Sequence, residues 1–181
     1  DSNDPGSRSE SFELVEGASL YGGFAGTEYG RYQRNWQTNI TILSGDIGTL
    51  DQESDNSYHV VTGADDAVLD GFWVICGNAD GSYPDYYGGG MYNAQASPVV
   101  SNCEFTQNQG YYGAAIYNSS NSLPVITGCR FRNNTADYYG GAIRNSSSAA
   151  VITNCSFKEN TAGYHGGAVY NGVYASSIIT N

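Results

Sequence analysis

One fixed spacing, about 26 residues long, recurs through the second half of this sequence and leaves few folds open to it. Cys103, Cys129 and Cys155 keep it, as do Phe105, Phe131 and Phe157, and Asn108, Asn134 and Asn160. Together they form three copies of C-x-F-x-x-N (CEFTQN, CRFRNN and CSFKEN), each preceded by a β-branched pair. A second block alternates with the first: GGGMYN (88–93), GAAIYN (113–118), GGAIRN (140–145) and GGAVYN (166–171). Its apolar members Met91, Ile116, Ile143 and Val169 keep the same step to within a single position. Self-similarity at one period marks a repeat protein, in which each unit buries its apolar face only against its neighbours.

A helical repeat does not fit. Gly-Gly, Asn-Ser and Asn-Cys breaks interrupt every unit, and the apolar segments between them are short and β-branched. Each unit therefore holds about three short strands and three bends, one turn of a solenoid. Within VITNCSF, Ile152 shares a parity with Asn154, whereas Cys155 and Phe157 share the other. Both apolar sets point inward only if the chain turns at Asn154. The equivalent positions are Asn102 and Gly128, with Gly71 in a degenerate earlier copy. Gly and Asn are the residues that most readily enter the left-handed region a sharp corner demands.

Stacking the units at about 4.8 Å superimposes like residues. The phenylalanines then form an interior aromatic ladder and the three cysteines a column of buried free thiols. Asn108, Asn134 and Asn160 form one amide ladder, and Asn93, Asn118, Asn145 and Asn171 another. The expected fold is all-β, a right-handed single-stranded parallel β-helix of six to seven rungs of about 26 residues. It spans 1–181 as one domain, with irregular rungs over 1–80 and regular rungs over 81–181. Both ends fall mid-rung, which reads as a piece of a longer solenoid or as open rungs that another copy completes. The opening Asp1-Ser2-Asn3-Asp4-Pro5 reads as a processed or truncated start.

Composition narrows the function. With 7 Lys and Arg against 18 Asp and Glu, the net charge of −11 argues against nucleic-acid binding, which needs clustered cations. No apolar run reaches the roughly 18 residues of a helical membrane span, so direct insertion is not expected.

The pairing of GGA(I/V/L) with F-x-x-N, present as GGAI (140–143), GGAV (166–169), FTQN, FRNN and FKEN, resembles the passenger repeats of chlamydial polymorphic membrane proteins. The front half, with LYGGFAGTE (20–28), TILSGDI (41–47) and LDGFWV (69–74), is similar to a wider group of secreted bacterial β-helix proteins. The resemblance implies an extracellular or cell-surface location and a role in adhesion or scaffolding.

Candidate chemistry is sparse. Tyr86, Tyr111, Tyr138 and Tyr164 share one column; Tyr92, Tyr117 and Tyr170 share another, interrupted by Arg144 and expected to face outward. Rows of rings can stack on sugars or on another protein, or simply support one another. The acidic loop Asp46, Asp51, Glu53 and Asp55 is a weak candidate for Ca²⁺; no other cofactor is expected. No C-x-x-C zinc pattern occurs. Paired carboxylates for hydrolysis are represented only by Asp65, Asp66 and Asp70, and a basic stripe for lyase chemistry only by Arg130, Arg132 and Lys158. The first functional reading is thus a non-enzymatic structural or adhesive solenoid, with self-association through its open ends and glycans or surface proteins as partners. The alternative is a carbohydrate-binding or polysaccharide-cleaving β-helix.

Overall fold

The computed structural model describes residues 7–181; the opening segment Asp1–Pro5 lies outside the described residues. The chain coils into a parallel β-solenoid of about five turns, rather than six to seven, with four sheets running along its length. The first sheet stacks Phe12–Glu13, Val61–Thr62, Met91–Ala94, Ile116–Ser119, Ile143–Ser146 and Val169–Asn171. The second stacks Ser19–Tyr21, Val68–Asp70, Val99–Ser101, Val125–Thr127, Val151–Thr153 and Ile178–Thr180. The third holds Ile42–Ser44, Trp73–Ile75, Glu104–Thr106, Arg130–Arg132 and Ser156–Lys158. All neighbours pair in parallel, and in the regular turns the partners are those of the repeat: Phe105 with Phe131, Phe131 with Phe157, Ile116 with Ile143.

Two differences from the sequence expectation have physical causes. Each regular turn has a fourth strand, at Asn78–Ala79, Gln109–Tyr112, Thr135–Tyr139 and Thr161–Ala162. These segments lack the β-branched runs that mark a strand, and only the neighbouring coil pins them into one. The turn count falls because the first turn is long: Phe12 pairs with Val61, almost twice the regular spacing along the chain. Polar loops account for the surplus, and the chain then re-enters register, with Leu43 opposite Val74.

The corner between the second and third sheets is a column of left-handed residues. Gly71, Asn102, Gly128 and Asn154 have φ of 83°, 53°, 62° and 53°. Each corner N–H still donates to the coil above, from Gly71 to Ser101 O (3.1 Å) and from Asn102, Gly128 and Asn154 to Thr127, Thr153 and Thr180 O (3.0 Å). Non-glycine residues pay about 1–2 kcal/mol for this region, least for Asn. Gly128→Val is therefore expected to lose about 1–2 kcal/mol or more, whereas Asn154→Gly changes stability by only a few tenths. Urea unfolding of the two variants beside the parent checks the contrast.

The GGA motif has a steric origin. Gly140 turns with φ 72°, and at Gly141 a side chain would run into the carbonyls of Thr161 and Gly167. Inside the coils, Phe105, Phe131, Ile116, Ile126, Ile143 and Ile152 are buried, and Phe157 is partly buried against them. The phenylalanine rings stack at 5.3 Å between Phe105 and Phe131 and 5.0 Å between Phe131 and Phe157.

Two polar ladders run through this interior. Asn93 donates to Asn118 (2.8 Å), Asn118 to Asn145 (2.8 Å) and Asn145 to Asn171 (2.9 Å). Asn108 donates to Asn134 (3.0 Å) and Asn134 to Asn160 (2.8 Å). The second ladder also caps the bend before it, where Cys76, Gln107, Asn133 and Glu159 all have positive φ. Asn108, for example, accepts from Gly77 N–H and donates to Val74 O, both at 3.0 Å. An amide offers both donors and acceptors, so it can satisfy irregular backbone and its ladder neighbours together.

Candidate functional site

Where the fourth sheet bends into the first, the repeat places two adjacent rings in each regular turn, Tyr-Tyr three times and Tyr164-His165 in the last. Parallel coils then bring their rings within stacking range. One column runs Tyr86–Tyr111 (5.9 Å), Tyr111–Tyr138 (5.7 Å) and Tyr138–Tyr164 (5.5 Å). The next runs Tyr87–Tyr112 (5.6 Å), Tyr112–Tyr139 (5.9 Å) and Tyr139–His165 (5.6 Å). The outward side of the first sheet adds Tyr92, Tyr117, Arg144 and Tyr170, in register. Tyr87 lies 4.1 Å from Tyr117 and Tyr139 lies 4.8 Å from Tyr170, so the columns join into one aromatic wall.

The wall is not uniformly accessible. Tyr117 is only 5% exposed, which corrects the expectation that its whole column offers a contact surface. Tyr87 covers it, and the Arg144 guanidinium lies 4.2 Å from the Tyr112 ring centre and 5.6 Å from that of Tyr117. Arg144, an interruption in the sequence column, is thus a cation stacked among rings. Tyr92 and Tyr170 are half-buried, while Tyr138 is 36% and Tyr164 63% exposed. The most accessible ring beside the wall is Tyr83, at 74%, outside the repeat register and not singled out by the sequence pattern. A groove of about 440 Å³ runs between Tyr83, Tyr87, Tyr92, Ser120, Asn121 and Ser147, and no charged side chain lines it. Burial pushes the Tyr87 and Tyr92 hydroxyls up, so they remain protonated hydrogen-bonding groups at neutral pH.

His59 closes one end of the wall, stacked on Tyr92 at 5.0 Å, with Nδ1–H donating to Gly88 O (3.2 Å). Burial outweighs that bond and the nearby Asp85 carboxylate, and it holds the imidazole below its ordinary value of 6.5. The unfolded chain then binds the proton more readily than the folded one. The stabilisation is complete above the unfolded pKa and is lost as pH falls from there through the folded pKa. Melting temperature should therefore fall as pH drops below the ordinary imidazole value of 6.5, and His59→Gln should flatten that fall; thermal unfolding across pH checks it.

The other candidates are dispersed. Asp70 is held by Arg34 at 2.6 Å and accepts from Asn102 at 3.2 Å, while Asp65 accepts from Ser97 N–H at 2.8 Å. Arg130 and Arg132 flank the buried Glu104 at 3.7 and 3.9 Å, rung-to-rung pairing at the surface. All four cysteines are free, with Cys103, Cys129 and Cys155 buried, and burial raises the Cys129 thiol well above its usual range. Asp46, Asp51 and Glu53 line one cavity; Asp55 does not, because its carboxylate accepts from Thr49 N–H at 2.9 Å. Among the described residues no group of three or more His, Cys, Asp or Glu is arranged to hold a metal ion. No helix among them is long and apolar enough to cross a membrane.

A family model described as a right handed beta helix region matches residues 9–181. No curated protein and no solved structure matches the chain.

Proposed function

Because this chain belongs to the family of right-handed β-helix regions, we propose that it is a non-enzymatic adhesive or scaffolding solenoid, extracellular or displayed on a cell surface, whose contact surface is the tyrosine wall. The observation that carries this reading is the continuity of the wall: rings in contact, stacked at Tyr86–Tyr111 and Tyr138–Tyr164 and edge-to-face at Tyr111–Tyr138, run from coil to coil. Rings fixed by their neighbours lose little side-chain freedom on binding, which suits a preformed contact surface. The repeats resembling those of chlamydial surface proteins support the surface location. The non-enzymatic reading rests on the candidate acids and bases being engaged in pairs along the coils.

The uncharged groove beside Tyr83 favours neutral glycans as the partner. Rings supply the flat apolar platform that a sugar face covers, and Ser120, Asn121 and Ser147 supply hydroxyl and amide groups for its hydroxyls. A glycan array should give hits that weaken at least tenfold in Tyr83→Ala, a loss of about 1.4 kcal/mol. Full binding by Tyr83→Ala together with Tyr164→Ala would sink the reading. Turnover of a polysaccharide, abolished by substitution of Arg34 or Asp70, would favour the enzymatic alternative.

Self-association is the second part of the proposal. Exposed Phe12, Leu20 and Ile42 on one end face and Ile178 and Ile179 on the other lie on strands of the continuous sheets. Stacking of a second copy extends those sheets. Light scattering across a concentration series should show mass rising beyond the monomer; a constant monomer mass would refute it.

A further inference from the structure

The loop between Ile42–Ser44 and Val61–Thr62 carries Asp46, Asp51, Glu53 and Asp55, and none of them is ion-paired with a Lys, Arg or His among the described residues. The same loop holds three buried oxygens without a hydrogen-bond partner: Asp46 Oδ1, Asp55 Oδ1 and Asn56 Oδ1. A buried acceptor with no donor is costly, so native interiors supply it with a partner. Asp46 and Asp55 each use their other oxygen on loop backbone, Asp46 accepting from Asp51 N–H (3.3 Å) and Asp55 from Thr49 N–H (2.9 Å). Asn56 is 5% exposed and, with Asp46, Asp51 and Glu53, lines a cavity of about 200 Å³ that Cys76, Gln107 and Gln109 complete.

We infer that this cavity is a calcium site, with the carboxylates of Asp46, Asp51 and Glu53 and the amide oxygen of Asn56 as its protein donors. The donor set is hard, oxygen-only and negatively charged, which is what Ca²⁺ takes, in a coordination shell flexible enough for a loop. The three carboxylates are not gathered around one point among the described residues, so the site forms only when Asp51 and Glu53 turn toward the buried Asn56 oxygen. Asp55 shapes the loop but stands outside the set. Asp51 and Glu53 are exposed and free to rotate inward, while Asp46 is half-buried and Asn56 is fixed. Cys76, the one soft donor at the cavity, argues against zinc. Every other polar group lining the cavity is a carboxylate or an amide, whereas zinc favours a site richer in thiolate and imidazole.

The test is calorimetric titration of the whole chelator-treated chain with CaCl₂, paired with thermal unfolding. Saturable binding of a single ion is expected, with melting raised by about 5–10 °C at a hundredfold excess over Kd. Asp51→Asn with Glu53→Gln alters only exposed side chains and should weaken Ca²⁺ at least tenfold while leaving the apo melting temperature in place. Cys76→Ala should bind Ca²⁺ like the parent. No saturable binding up to about 10 mM, above the range of weak extracellular calcium modules, would overturn the assignment. An unchanged Kd in the double variant, or tighter Zn²⁺ binding that requires Cys76, would overturn it equally.

Discussion

Phe131→Ala should lose about 3–5 kcal/mol of stability, lowering the melting temperature by roughly 6–20 °C for a domain of this size. Phe131 is fully buried, and its ring is sandwiched between Phe105 at 5.3 Å and Phe157 at 5.0 Å. Truncation removes both stacked pairs and leaves a ring-sized void whose walls are backbone ladders. Such walls cannot collapse inward without breaking register. Phe157 sits in the same column but is only partly buried, so Phe157→Ala should cost distinctly less. Because coils touch only their neighbours, the Phe131 void also weakens coupling between the two halves of the rod. The unfolding transition should broaden as well as shift. Circular dichroism melts and urea titrations of the two variants measure both effects.

Asn134→Leu should be as damaging, although it adds apolar surface. Asn134 Oδ1 accepts from the Asn108 N–H (3.1 Å) and Nδ2 (3.0 Å), and its Nδ2 donates to Phe105 O (3.0 Å) and Asn160 Oδ1 (2.8 Å). Leucine matches the volume but orphans the buried Asn108 N–H and one Asn108 Nδ2 proton, and strips a donor from Phe105 O and from Asn160 Oδ1, which keeps the Asn134 N–H (3.2 Å); each orphaned group costs about 1–3 kcal/mol before relaxation. The expected net loss is about 3–5 kcal/mol, read from urea unfolding. A solvent-facing change on the same coil, such as Arg132→Ala, should stay within about 0.5 kcal/mol. If Asn134→Leu proved neutral or stabilising, the amide ladder would not be holding the bend.

The residue columns made the coil readable before any coordinates, because side-chain parity and period are local properties of sequence. The Gly71/Asn102/Gly128/Asn154 corner stood out because only Gly and Asn enter the left-handed region cheaply. The companion bend did not, since Cys76, Gln107, Asn133 and Glu159 share no side-chain chemistry; their conformation is imposed from the following position by the Asn108 ladder. The fourth strand was hidden for a related reason, being held by pairing with its neighbours and not by propensity. At the candidate sites, the tyrosine columns were visible in the sequence but their accessibility was not. Burial of Tyr117 depends on Tyr87 and Arg144, which approach it across coils. Asn56 gave no signal beside the four acids of its loop, because what distinguishes it is an unpaired buried oxygen, a property of packing alone.

Nuclear Overhauser contacts among the phenylalanine rings test the in-register coil most directly, since Phe105, Phe131 and Phe157 lie a full repeat apart in sequence and meet only where coils stack. Cross-peaks from the Phe131 ring to both other rings are predicted, together with parallel inter-strand contacts across Glu104–Thr106, Arg130–Arg132 and Ser156–Lys158. A Phe131 ring with no cross-peak to either neighbour, or a helical contact pattern through residues 129–134, would contradict the fold and everything built on it.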